Sequence, residues 1–204
     1  MKNLLWESDG AEIIKNAISK KLIKDSISCI TKIERKKNKL PMGTITEKYK
    51  NKTYIRYIPR CHEVLDQFIK FINSDILLKS VSFLNSSVYF WDIDFHSKWG
   101  LSSDNTPPHQ DSFLKCLSDN SPHMLTCYIP LTEIGMNSNP MHIIRGSYKS
   151  KTMKHHRSKK LGFSSVIAEK EDLLPKRLLI NEYPVLLSPG DAFFFHGKTI
   201  HYSK

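Results

Sequence analysis

Residues 107–113 read PPHQDSF, and two of them, His109 and Asp111, carry metal-donor groups. Side chains two positions apart on an extended segment share a face. An imidazole nitrogen and a carboxylate oxygen held that way make half of a site for a divalent transition metal. The other half needs an imidazole from a distant segment. Nine histidines are available, and the best placed is His201, 92 residues downstream in GDAFFFHGKTIHYS, just beyond a strongly apolar run. Two imidazoles and one carboxylate on one side of a metal leave its remaining positions open for a cosubstrate and for oxygen. His196 competes for the third place: an odd offset from His201 would put the two on opposite faces of an extended segment, but Gly197 intervenes and strict alternation can fail there, so spacing alone leaves both open. His142, in PMHIIR, reads as a packed or hydrogen-bonded residue, and His155 and His156 as part of a solvated loop.

Donors that distant in sequence must be brought together by a strand framework. SVYFWDIDF (87–95), HMLTCYIPL (123–131), PMHIIR (140–145) and YPVLLSPGDAFFF (183–195) are rich in β-branched and aromatic residues, and SPGD reads as a turn. Several short strands with turn signals predict a sandwich or barrel. Residues 149–172 form a long excursion between strands, the kind of connection that serves as a lid or substrate contact. The first third reads helical. In AEIIKNAISKKLI (11–23) the apolar Ile14, Ala17, Ile18 and Leu22 recur at spacings of three and four, and HEVLDQFIKFI (62–72) repeats that period. Pro41 and Gly43 break the pattern in NKLPMGT, and Ser74 is a candidate N-cap for a helix over DILLKS. The sequence predicts one domain over 1–204, mainly β with N-terminal helices: 1–83 mostly helical, 84–204 a core of short strands.

The chain has 204 residues and 40% apolar content, enough for a core. No apolar run approaches the roughly 20 residues of a membrane span, and the start, MKNLLWESDGAEII, lacks the apolar stretch of a signal peptide. No membrane association is expected, and the location is expected to be cytoplasmic. Cys29, Cys61, Cys116 and Cys127 form no CxxC pair and read as buried or free thiols in a reducing compartment. The net charge of +11 is local: residues 32–39 contribute +4 and residues 149–160 contribute +6. Such runs usually form solvated faces, and no nucleic-acid partner is expected. Cations in the 149–172 loop would suit an anionic small-molecule substrate.

The segment from about residue 88 onward resembles the phytanoyl-CoA dioxygenase family. PPHQDSF is similar to its proximal histidine–aspartate motif, LTCYIPLTEIGMNSNPMHIIRGSYK to its strand–turn–strand ending in Gly-Ser-His, and SPGDAFFFHGKTIHYS to its distal histidine motif. The resemblance implies a double-stranded β-helix (jelly-roll, cupin-like) core and dependence on Fe(II), 2-oxoglutarate and O2. It places the catalytic iron ligands at His109, Asp111 and His201, and cosubstrate contacts at Tyr128 and Ser203. Family chemistry couples oxidative decarboxylation of 2-oxoglutarate to hydroxylation of an unactivated C–H bond of a small-molecule or acyl substrate. Relatives that halogenate lack the carboxylate, so Asp111 implies hydroxylation. Arg145 and Tyr148 depart from the family's Pro and His. The family's Arg that clamps 2-oxoglutarate falls beyond Lys204, which predicts a core lacking its last strand, as a fragment of a longer enzyme or a degraded relative. Two further readings are a non-catalytic jelly-roll protein acting through its basic surface and a metalloenzyme that does not use 2-oxoglutarate.

Overall fold

The structure, a computed structural model, describes residues 3–35, 40–49, 51–72, 75–85, 87–98, 105–111, 124–158 and 165–203. Ser74, Cys116, His123, Lys159, Lys160 and Lys204, named above, lie outside the described residues. In chain order the elements are α1 (Trp6–Asp9), β1 (Ala11–Ile14), α2 (Lys20–Arg35), β2 (Ile45–Tyr49), β3 (Lys52–Ile58), α3 (Cys61–Val64), α4 (Asp66–Ile72), α5 (Ile76–Leu84), β4 (Phe95–His96), β5 (Leu125–Tyr128), β6 (Met141–Ile144), β7 (His156–Arg157), β8 (Ser165–Val166), α6 (Lys176–Leu179), β9 (Glu182–Val185), β10 (Ala192–His196) and β11 (His201–Ser203). The chain is mainly β with several helices, and it divides into two compact units, 1–16 with 103–204, and 17–102.

The first unit holds two three-stranded antiparallel sheets, β1-β10-β5 and β11-β6-β9. The described strands form no closed barrel. β10 reads as an unbroken apolar run because both of its faces are covered: Ala192 through Phe195 are at most 1% exposed. Phe193 and Phe195 pack with Ile143, Val185, Leu187, Ala11 and Leu4, and this cluster joins the two sheets. Each fully buried Phe, Ile, Val or Leu side chain of this kind contributes about 1.5–3 kcal/mol. β6 alternates: Ile143 enters that cluster, while Ile144 enters a second one with Ile200, Tyr202, Ala168 and Leu174 on the opposite face. Asp191 anchors β1 to the turn before β10. It accepts from Lys15 Nζ at 2.7 Å and from the amides of Asn16 and Ser188.

The second unit carries α2–α5 and the antiparallel sheet β2-β3-β4. α2 packs Ile23 and Ile30 inward, and Ile55 and Ile58 of β3 are buried.

Several predicted elements differ. Ala11–Ile14 is a strand, not the start of a helix: Ile13 and Ile14 pair with Phe193 and Ala192, and Asn16 turns the chain at φ 54° before α2 begins at Lys20. Tertiary pairing outweighs the helical period there. The hairpin β2–β3, turning at Asn51 (φ 63°), lies in a stretch assigned to the helical third. Residues 87–94 are irregular, and only Phe95 and His96 pair with β3; Ile93 instead spends its carbonyl on the Cys61 amide and its amide on His62. The helix over 62–72 is broken at Leu65, which is extended (φ −136°, ψ 96°). Residues 1–16, counted with the helical region, group with 103–204.

Candidate metal centre

β11 lies between β6 and the 105–109 segment. His201 pairs with Ile143 on one side and with His109 on the other, where each histidine amide donates to the other's carbonyl at 3.1 Å. Directly opposed residues in an antiparallel pair project to the same side, and the two imidazole centroids are 4.1 Å apart. The Ser203 amide donates to the Thr106 carbonyl, and Ser203 Oγ accepts from the Thr106 amide, both at 3.0 Å. These bonds fasten the 105–109 segment to β11.

One donor atom from each of His109, Asp111 and His201 lies within 4.8 Å of the others. Asp111 Oδ1 is 3.7 Å from His109 Nε2 and 3.5 Å from His201 Nε2. Each imidazole is held by its other nitrogen. His109 Nδ1 lies 2.8 Å from the Pro107 carbonyl, and His201 Nδ1 lies 3.0 Å from the Thr199 carbonyl. A carbonyl only accepts, so Nδ1 carries the proton and Nε2 offers its lone pair. Burial, and then the neighbouring His201, push the His109 pKa below the ordinary imidazole value. No proton has to leave that nitrogen for it to act as a ligand at neutral pH. Asp111 Oδ2 accepts from Thr126 Oγ1 at 2.6 Å.

The geometry that joins His109 and Asp111 differs from the predicted strand. His109 is a single bridged residue, and Asp111 already stands in a helical turn. Pro107 and Pro108 have no amide to give a ladder, and the Gln110 amide donates to His155 Nε2 at 3.1 Å. The pairing therefore stops at His109, and Asp111 reaches the same point by the turn.

Tyr128 stands two residues beyond Thr126 on β5, hence on the same face. It packs against the cluster that joins the sheets, and burial raises its phenol pKa. Ser203 stands two residues beyond His201 on β11. Ser203 is thus one step from a donor along its strand, and Tyr128 one step from Thr126, the residue that bonds Asp111. His196 is apart from it: its ring lies against Trp6 and Tyr148, and its Nδ1 accepts from the Lys198 amide at 3.0 Å. His142 is buried, stacked on Tyr202, with Nδ1 2.7 Å from Glu182 Oε1. His155 is not solvated as predicted but half-buried, because the Gln110 amide needs its Nε2 as acceptor. His156 is exposed, 3.7 Å from Glu169.

Sequence reasoning passed over two supporting residues. Thr126 sits in a strand with nothing local to mark it. Gln110 lies between the two proximal donors and is wholly buried; its Nε2 donates to the Lys198 carbonyl at 2.6 Å and its Oε1 accepts from the Met153 amide at 2.8 Å. It ties the 107–111 segment both to the basic loop and to the turn before His201. The two departures from the family pattern make structural contacts away from the donors. Arg145 pairs with buried Asp9 through two hydrogen bonds of 2.9 and 3.1 Å, and Tyr148 donates from its hydroxyl to the Glu7 carbonyl. Among the described residues, Cys29, Cys61 and Cys127 are free, and no helix is long and apolar enough to cross a membrane.

A family profile described as Phytanoyl-CoA dioxygenase (PhyH) matches residues 6–204. No curated protein matches the sequence. Among solved structures, the fold is similar to that of the epimerase SnoN, crystallised with Fe3+, alpha ketoglutarate and nogalamycin RO, at 14% identity and TM-score 0.72, covering 97% of this chain and 73% of that one. It is similar to the carbocyclase SnoK from nogalamycin biosynthesis, at 16% identity and TM-score 0.72, covering 98% and 74%. It is also similar to EctD from S. alaskensis, crystallised with 2-oxoglutarate and 5-hydroxyectoine, at 18% identity and TM-score 0.74, covering 98% and 67%.

Proposed function

The chain belongs to the phytanoyl-CoA dioxygenase family, whose members depend on Fe(II), 2-oxoglutarate and O2, and from that premise we propose that it is a dioxygenase that hydroxylates an unactivated C–H bond of a small-molecule or acyl substrate. The observation that carries this reading is the convergence of two imidazole Nε2 atoms and one carboxylate oxygen within 4.8 Å, with both Nδ1 atoms set on backbone carbonyls. Neutral nitrogen donors with one anionic oxygen suit Fe(II). His109, Asp111 and His201 hold the metal. Bound iron supplies the one-electron and O2 chemistry that side chains lack.

The remaining residues position and exclude. Phe195 presents its ring 4.7 Å from that of His201 and forms an apolar wall that keeps water off the donors. Tyr128 and Ser203 contact 2-oxoglutarate, a role supported by the place of Ser203 two residues beyond His201 on β11 and of Tyr128 two residues beyond Thr126, the partner of Asp111, on β5. The two three-stranded sheets are the halves of a jelly-roll core. SnoN and SnoK are described as an epimerase and a carbocyclase, so reaction outcome in this fold varies; hydroxylation is the outcome expected with Asp111 kept as a ligand. The exposed Lys149, Lys151, Lys154 and Arg157 favour an anionic substrate.

The test is an anaerobic titration of 2-oxoglutarate into the Fe(II)-loaded chain, followed by visible charge-transfer absorbance. A saturating band, absent in His201→Ala, is expected. Iron that binds without any such band refutes use of 2-oxoglutarate.

A further inference from the structure

We infer that Thr126 is the positioning residue that makes Asp111 a one-oxygen donor; the inference rests on the metal-centre reading above. Asp111 stands in a turn rather than a strand, so no ladder of its own fixes it. Thr126 belongs to β5, paired with Phe195 of the first sheet, while the 105–109 segment is bridged to β11 of the second. The Thr126 hydroxyl is therefore a tether across the two sheets. Its donor distance to Asp111 Oδ2, 2.6 Å, is that of a charge-assisted O–H···O− bond. A β-branched side chain has few rotamers, so the donor is itself fixed.

The bond divides the carboxylate. Oδ2 is engaged by the hydroxyl, and Oδ1 is the oxygen 3.7 and 3.5 Å from the two Nε2 atoms. A carboxylate without that tether can turn and present both oxygens to a cation. The second oxygen would then fill a position that a chelating keto acid needs. Thr126 acts through Asp111 alone, orienting it and keeping the site open.

The experiment titrates Co(II) into the metal-free full chain and follows affinity and visible absorption. Thr126→Val keeps the shape and removes the hydroxyl; if valine does not fold, Thr126→Ala also removes the hydroxyl, without keeping the shape; Thr126→Ser keeps the hydroxyl. Loss of a group that orients a ligand costs about 10–100-fold in metal affinity. That loss is expected for the valine or alanine variant, with altered band intensities, and near-wild-type affinity and spectrum are expected for serine. Wild-type affinity and spectrum without the hydroxyl, beside an Asp111→Ala variant that loses Co(II), overturns the role of Thr126 and leaves the metal centre standing. A serine variant as weak as valine overturns it as well. Asp111→Ala binding Co(II) as tightly as wild type overturns the metal-centre reading itself.

Discussion

Gln110→Leu exchanges a wholly buried amide for an apolar side chain of similar size, so little of its effect comes from a cavity. What it removes is the pair of bonds to the Lys198 carbonyl and the Met153 amide, at 2.6 and 2.8 Å. A buried backbone group left without its partner costs about 1–3 kcal/mol, so the two together could reach about 6 kcal/mol. Met153 can relax: Lys151, Thr152, Lys154, His156 and Arg157 around it are exposed, and its amide can turn to water. The expected loss is therefore in the lower half, about 2–3 kcal/mol. Urea unfolding followed by circular dichroism measures it, and amide hydrogen exchange reads where it falls. Protection of the Met153 amide should drop before global unfolding. Stability within about 0.5 kcal/mol of wild type, with Met153 protection unchanged, would refute the idea that Gln110 clasps the loop.

Further predictions follow the same logic. His201→Ala should abolish tight Fe(II) or Co(II) binding by equilibrium dialysis while His196→Ala leaves it intact; the reverse pattern would move the third donor to His196. For Asp9, burial alone raises the pKa, but the Arg145 and Leu5 hydrogen bonds outweigh it and hold the carboxyl below its ordinary value. A depressed folded pKa means stability that is fully present above the unfolded carboxylate pKa of about 3.9 and is lost as pH falls through the folded value. Asp9→Asn should cost about 1–3 kcal/mol at neutral pH, and the gap to wild type should close below about pH 4; a pH-independent gap in urea titrations would count against it. Gly10→Ala would set a Cβ 2.3 Å from the Tyr148 ring at φ +71°, whereas a Cβ at Gly135 meets nothing within 4 Å. Thermal melts should show about 1–3 kcal/mol lost at Gly10 and little change at Gly135; equal effects would contradict the packing described.

The candidate site was legible because its signals are local. A His-x-Asp after two prolines, an apolar strand and a histidine–tyrosine–serine run can be read along the chain without knowing what they face. Phe193–Phe195 announced a buried strand for the same reason. What stayed hidden depends on partners far away. Ile13 and Ile14 fit a helical period as well as a strand, and only pairing with β10 decides between them. Thr126 and Gln110 look ordinary until Asp111, Met153 and Lys198 are beside them. His155 sits in a run of cations, and nothing nearby in sequence shows that the Gln110 amide turns to it. The β2–β3 hairpin was missed for a different reason, since the alternation through Thr53, Ile55 and Tyr57 is visible and was overridden by the helical segments around it.

The anchoring of β1 beside β10 has a consequence for how the protein is made. Lys15 and Asp191 are 176 residues apart, and the bridge between His109 and His201 spans another long loop. Such contacts carry a large loop-closure entropy and slow folding. During synthesis, β1 and β5 must wait with unpaired edges until 192–196 has emerged, a period of exposure to aggregation or chaperone capture. His109 and Asp111 alone offer a nascent chain only a weak two-donor hold on a cation. His201 is brought to His109 by the same closure that pairs β11 with β6, so tight binding at the proposed centre would report that closure.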